Sequence, residues 1–233
     1  MFGEDFVSEV VRETMEYDVV IVGAGPAGLS AAIRLKQLDA NLEVVVLEKG
    51  SEVGAHILSG AVLDPSGLNK LIPDWKEKGA PLDVPVKEDN FFILGEAGQI
   101  RLPNFLMPPL MNNHGNYIVS MGNVCRWMAE QAEELGVEIF PGMACSDLVF
   151  GNDGELKGVV AGEFGKNSDG TMGEAYEPGM ELHGKYVLLS EGARGSLAKQ
   201  VIEKFNLDSE CDVPKFGIRM KDSWEVDQEL HNE

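Results

Sequence analysis

The chain has 233 residues, 44% of them hydrophobic, enough for one packed domain or for one domain and the start of a second. Nineteen Lys and Arg against 39 Asp and Glu leave a formal charge of −20, which repels a phosphate backbone and excludes nucleic acid as an expected partner. The three cysteines (Cys125, Cys145, Cys211) and four histidines (His56, His114, His183, His231) are dispersed without ligand spacing, so no metal site is expected, and no apolar run reaches the ~20 residues of a membrane-spanning helix.

From the N-terminus, residues 1–16 are acidic, the wrong charge for a signal or transit peptide, and the chain reads as cytoplasmic or already processed. Tyr17 to Val22 is a β-branched run of the kind that forms a strand buried on both faces. It ends in Gly23-Ala24-Gly25-Pro26-Ala27-Gly28, and a helix is predicted from Pro26 to Leu38, with proline in the first turn where its missing N–H costs nothing. Leu42 to Leu47 reads as a second buried strand, closed by Glu48.

The regular alternation then breaks in a proline-rich insertion. Within it Leu68, Leu71, Ile72 and Trp75 fall at i, i+3, i+4 and i+7, one face of a short helix. Leu102 to Met111 is apolar but too rich in proline for helix or inner strand. A second helix is predicted over Asn123 to Leu135, its apolar stripe being Val124, Trp127, Met128, Ala132 and Leu135, with Gly136 as a stop. Val137 to Phe140 is a third short strand. Residues 144–183 read as an antiparallel meander with turns at Asn152-Asp153-Gly154 and Ser168-Asp169-Gly170, and Lys185 to Ser190 as a further buried strand.

The glycine-rich turn follows a strand, opens a helix, and has an acid at the end of the next strand, the context of a dinucleotide-binding βαβ unit. Gly23 permits the tight turn, Gly25 lets the backbone approach a pyrophosphate, and Gly28 lets helix and strand pack closely. The expected cofactor-binding residues are Gly23, Gly25, Pro26, Ala27, Gly28, Glu48 and Lys49, with Glu48 accepting from ribose hydroxyls and the helix N-terminus facing the pyrophosphate. FAD and NAD share this unit, and the motif alone leaves the choice open.

A long insertion after the second strand, then a helix, a third strand, a meander and a strand ending in Gly192-Ala193-Arg194-Gly195 resemble a known flavoprotein architecture. The expected class is α/β, a glutathione-reductase-type FAD-binding Rossmann-like fold with a β-meander and an insertion. Flavin hydroxylases of that type place Asp where Arg194 stands, which argues against a hydroxylase and against direct use of NADPH.

Five stretches are more specific: Val19 to Ala32, Gly54-Ala-His-Ile-Leu-Ser-Gly60, Pro73 to Pro81, Met111 to Val119, and Glu191-Gly192 through Leu197-Ala-Lys-Gln200. They are similar to the electron transfer flavoprotein-ubiquinone oxidoreductase family over nearly the whole chain. The resemblance implies FAD as cofactor, electron transfer flavoprotein and ubiquinone as partners, and a peripheral membrane enzyme. Its surface is the cytoplasmic face of a bacterial inner membrane, or the mitochondrial inner membrane in a eukaryote.

Family members are much longer, and their [4Fe–4S] cysteines and most of their quinone pocket lie in a C-terminal portion. This chain is therefore expected to be an N-terminal fragment without cluster ligands. Two other readings stay open: a related cluster-free flavoprotein, such as the flavin subunit of a nitrogen-fixation electron-transfer complex or a geranylgeranyl-reductase-like enzyme, and a fragment that only binds FAD.

The implied organisation is an extension over 1–16, an FAD-binding βαβ unit over 17–56, the insertion over 57–115, the rest of the FAD domain with its meander over 116–202, and the start of a truncated second domain over 203–233. In the insertion, the Leu68, Leu71, Ile72 and Trp75 face, with Phe105 to Met111, is a candidate for dipping into one leaflet; the alternative is that both segments pack against the missing C-terminal half. No acid–base pair or nucleophile stands out, so no catalytic residue is named, as suits a reaction carried by the cofactor.

Overall fold

The computed structural model describes residues 11–57, 59–167 and 171–213, and divides into two compact units, Met1–Gln200 and Val201–Glu233. In chain order the strands and helices begin with β1 (Glu13–Val22), α1 (Pro26–Leu38) and β2 (Val44–Glu48). The insertion follows as β3 (Ser59–Leu63), α2 (Ser66–Leu71), β4 (Val84–Pro85), β5 (Phe91–Gly95), β6 (Gly98–Leu102) and two 3-10 turns, Asn104–Leu106 and Pro109–Met111. Then come β7 (Tyr117–Ser120), α3 (Met121–Glu134), β8 (Glu138–Pro141), β9 (Cys145–Phe150), β10 (Leu156–Ala161), β11 (Phe164–Lys166), β12 (Met172–Glu177), β13 (Met180–Leu189) and α4 (Ser196–Phe205). The second unit includes the last turn of α4 and is described as far as Val213.

The main sheet has the order β8-β2-β1-β13-β10-β9, with the first four strands parallel and the last two antiparallel. Its centre explains the unbroken apolar runs. Val19 and Ile21 of β1, with Val44 and Val46 of β2, face one core, which is filled by Leu29, Ala32 and Ile33 of α1 and Val124, Met128 and Ala132 of α3. The alternating residues, Val20, Val22, Val45 and Leu47, face a second core closed by Val159, Ala161, Leu182 and Leu197. Where both faces of the sheet are covered, from Val19 to Val22 and from Val44 to Leu47, every residue of the strand is apolar.

Several boundaries differ from the sequence expectation, each for a local reason. β1 starts at Glu13, because residues 13–16 pair in register with Met180 to His183 of β13; they are strand, not extension, and β13 correspondingly begins before Lys185. β2 starts at Val44, because Leu42 lies in a turn: its N–H donates to Asp39 O, and its carbonyl accepts from the buried Lys36 Nζ at 3.0 Å. The meander is split, β9 and β10 joining the main sheet while β11 and β12 form a ladder of their own. The Ser168-Asp169-Gly170 turn lies outside the described residues.

The insertion requires a larger correction. The pattern Leu68, Leu71, Ile72, Trp75 is not one face of a continuous helix, because α2 ends at Leu71. Pro73 denies its predecessor the helical region, and Ile72 sits at φ −134, ψ 82. Leu68, Ile72 and Trp75 nevertheless all join the first core, Trp75 being only 4% exposed, and Leu71 packs against it partly buried. The Trp75 indole donates to Asn69 Oδ1 at 2.7 Å, and its ring meets Tyr117 edge-on at 5.7 Å. Leu68, Ile72 and Trp75 have no free apolar surface to give a membrane; they are core, and Leu71 lies at its edge. The second candidate segment differs, with Phe105 84% and Leu110 98% exposed.

Two predictions follow from this packing. Ile33, fully buried between α1 and the sheet, should lose about 2–5 kcal/mol of stability as Ile33→Ala, whereas Leu38→Ala, at an exposed position, should stay within about 0.5 kcal/mol; urea midpoints at unchanged slope read the difference. Burial, reinforced by the Glu48 carboxylate, pushes the Cys125 thiol up to about 11. Burial, reinforced by Glu191, pushes Cys145 up to about 12. Both stay protonated at neutral pH, so a disulfide reagent at about pH 8 should titrate only the exposed Cys211 in the folded 233-residue chain, and all three thiols after denaturation. Rapid reaction of two or more in the native state would contradict this packing.

Candidate nucleotide-binding site

The site lies at the carboxyl edge of the parallel strands, where β1 passes into α1. Gly23 N–H donates to Leu47 O and Ser190 N–H to Val22 O, each at 2.7 Å, so the turn is held from both neighbouring strands. Gly23 has φ +105, and a Cβ there would lie 2.5 Å from Ser190 O, so only glycine lets β13 pass this close. A Cβ on Gly28 would lie 2.0 Å from Gly23 O and 3.2 Å from Ile21 Cγ2, which makes Gly28 the contact between helix and strand. Gly25 is different: a Cβ built on it meets nothing within 4 Å. Space opens in front of this one glycine of the three.

α1 starts directly behind that space. Its N-cap is Gly25 in extended conformation, its first helical residue is Pro26, no side chain caps it, and no acidic residue lies in its first turn. The first intrahelical bond is Leu29 N–H to Gly25 O at 3.0 Å, so the amides of Ala27 and Gly28 belong to the turn that a helix leaves without internal partners. They supply N–H donors and the positive end of the helix dipole.

Glu48, at the end of β2, faces this turn. Its Oε2 accepts from Ala24 N–H at 3.0 Å and its Oε1 from Gly50 N–H at 2.8 Å, so one carboxylate ties the glycine turn to the loop after β2. It remains half-buried, with lone pairs left for further donors. Lys49 beside it is exposed.

Three features of the surroundings were not read from sequence. Glu191 caps α4: its carboxylate accepts from the N–H groups of Ser196, Leu197 and Ala198 at 3.1, 3.3 and 2.9 Å. The positive end of α4 is thereby compensated, whereas that of α1 is not. The only sequence signal was an acid a few residues ahead of a helix-start serine. The second feature is a backbone contact: Gly54, at φ +86, lies so close to α3 that a Cβ would sit 2.5 Å from Gly122 O. The third is Arg126, which braces that contact by donating to Glu52 Oε1 at 3.4 Å and to Asn123 Oδ1 at 2.5 Å. Gly54 within its own stretch could not reveal a partner 68 residues away.

Comparison with known proteins agrees with this geometry. A family model described as an NAD(P)-binding Rossmann-like domain matches residues 21–75. Among solved structures, a geranylgeranyl bacteriochlorophyll reductase-like protein from Thermoplasma acidophilum superposes with a TM-score of 0.52 at 19% identity, over 76% of this chain and 39% of that one. The myxobacterial chondrochloren halogenase, titled a new variant of FAD-dependent halogenases, gives 0.52 at 17% identity, over 79% of this chain and 39% of that one. At such identities the likeness shows the fold, a Rossmann-like α/β architecture.

Sequence relatives are nearer. The electron transfer flavoprotein-ubiquinone oxidoreductase of Pseudomonas aeruginosa is 54% identical over 94% of this chain and 41% of that protein. The human mitochondrial protein of the same name is 50% identical over 93% of this chain and 36% of that protein. The chain thus spans about two-fifths of the length of the curated relatives it matches, and over nearly all of its own length it is homologous to electron transfer flavoprotein-ubiquinone oxidoreductases.

Proposed function

We propose that this chain binds FAD across the β1–α1 turn and forms the FAD-binding portion of an enzyme that passes electrons from electron transfer flavoprotein to ubiquinone. The observation that carries the reading is the open space in front of Gly25, faced by the uncapped N-terminus of α1 and flanked by Glu48. The donor set fits a dinucleotide: the Ala27 and Gly28 amides for the pyrophosphate, Glu48 for ribose hydroxyls, and Lys49 on the solvent side. When bound, the flavin supplies the redox chemistry. The chain's part is to bind, orient and exclude water, with the backbone of Gly23 to Gly28 acting as a rigid cradle fixed from both adjacent strands.

A [4Fe–4S] cluster does not fit these residues. Among the described residues no three metal-ligating side chains gather, and the three cysteines of the chain lie far apart in sequence.

Attachment to a membrane is the second element of the proposal, and it rests on a different surface from Leu68 to Trp75. The β5–β6 hairpin exposes Ile93, Leu94 and Ile100, and the following 3-10 turns expose Phe105, Leu106 and Leu110. This tongue is large and apolar for a surface facing water. No helix among the described residues is long and apolar enough to cross a bilayer, so the reading is insertion into one leaflet, giving a hydrophobic quinone an entry that avoids water.

Both elements are testable in a protein of the relatives' length carrying this sequence. Gly25→Val should leave the fold intact, because its side chain enters open space, yet abolish flavin retention and the yellow colour. Gly28→Val should lose the fold itself. Normal FAD content in a folded Gly25→Val protein would overturn the site. The double substitution Phe105→Ser and Leu110→Ser should move the protein from liposomes to the supernatant with FAD content unchanged, whereas Trp75→Ser should unfold it. Removing apolar burial of roughly 25 cal/mol per Å² at two such side chains is enough to release a reversible anchor.

A further inference from the structure

The apolar tongue borders an open pocket of about 570 Å³ whose lining combines two chemistries. Phe105, Met107 and Leu110 form apolar wall, while Asp89 with Asn104, Asn112 and Asn113 forms a polar part. Asp89 is placed deliberately by its neighbours. Its Oδ2 accepts from the backbone N–H and the side-chain amide of Asn113, at 3.0 and 3.3 Å, and its carbonyl accepts from Asn104 Nδ2 at 2.5 Å. Among the described residues no cation pairs with this carboxylate. Asn112 Oδ1 accepts from His114 N–H at 3.0 Å, so its NH₂ is the part left to donate.

A carboxylate carried toward a bilayer among apolar side chains loses hydration and, without a partner, is costly. The headgroup layer contains the missing charge. Resting on the membrane reading above, we propose that this pocket binds the headgroup of phosphatidylethanolamine, its primary ammonium on Asp89 and its phosphate on the Asn112 amide. A primary ammonium brings N–H donors to a carboxylate that accepts them; a quaternary ammonium has none to give. An anionic headgroup would meet Asp89 with the wrong sign, on a chain whose formal charge is −20.

The test is co-sedimentation of the flavin-loaded protein of the relatives' length with three vesicle types. One is phosphatidylcholine alone; in the others part of it is replaced by phosphatidylethanolamine or by phosphatidylglycerol. The wild type should bind the phosphatidylethanolamine vesicles about tenfold more strongly than phosphatidylcholine, the worth of one charge-assisted hydrogen bond. Asp89→Asn should bind both at the wild type's phosphatidylcholine level with unchanged FAD content, which also removes lipid-packing effects from the comparison. Glycerophosphoethanolamine, but not glycerophosphocholine, should reduce the wild-type preference, a readout that needs no variant. A preference retained by Asp89→Asn, no preference in the wild type, or stronger binding to phosphatidylglycerol would overturn the headgroup site while leaving membrane attachment standing. Failure of the wild type to bind any vesicle would remove the membrane reading and this site with it.

Discussion

Everything in the first unit depends on β1 being paired on both edges and covered on both faces. Pairing with β2 and β13 satisfies its backbone groups, and the two cores take its alternate side chains, Val19 and Ile21 on one face and Val20 and Val22 on the other. A strand so enclosed can leave the sheet only at its end, in a turn with no room for side chains between three converging backbones. Gly23 and Gly28 answer that crowding. Gly25, just beyond it, faces outward, so the same turn that completes the core also presents open backbone to a ligand.

Electrostatics then separates two helices that begin at the same edge of the sheet. α4 begins after a glycine turn much as α1 does, but Glu191 folds back on its first amides and neutralises them. α1 has no such acid, and Pro26 occupies the position where a donor would in any case be lost. In a chain with twice as many acidic as basic residues, the absence of carboxylates from the first turn of α1 is what leaves its positive end uncompensated. Glu48, at the end of β2, is occupied by the amides of Ala24 and Gly50.

The insertion shows why an apolar face is not by itself a surface. Leu68, Ile72 and Trp75 follow helical spacing, but Pro73 breaks the helix and the same side chains turn inward against α1 and α3, with Asn69 and Tyr117 closing around the indole. The proline-rich segment from Leu102 to Met111 lacks the periodicity that would bury it, and its short 3-10 turns hold Phe105 and Leu110 out in solvent. Flanked by the equally exposed β5–β6 hairpin, it forms the apolar tongue, and Asp89 at its base gives that tongue a polar lining.

By itself the sequence determined the order of the βαβ unit and its helix to the residue: α1 runs from Pro26 to Leu38 as its proline start predicts, and strand, glycine turn and Glu48 follow from local rules of burial and backbone conformation. Local patterns suffice there because each element's partner is its neighbour along the chain. Only the tertiary structure decided that residues 13–16 extend β1, since their pairing partner is β13, more than 160 residues on. It likewise decided that Leu68, Ile72 and Trp75 belong to the core, because periodicity reports that a face is apolar but not what covers it. The cap of α4 by Glu191, the contact of Gly54 with Gly122 and the exposure of Phe105 were hidden for the same reason: each is set by where distant backbone passes, a property of the packed chain and of no segment within it.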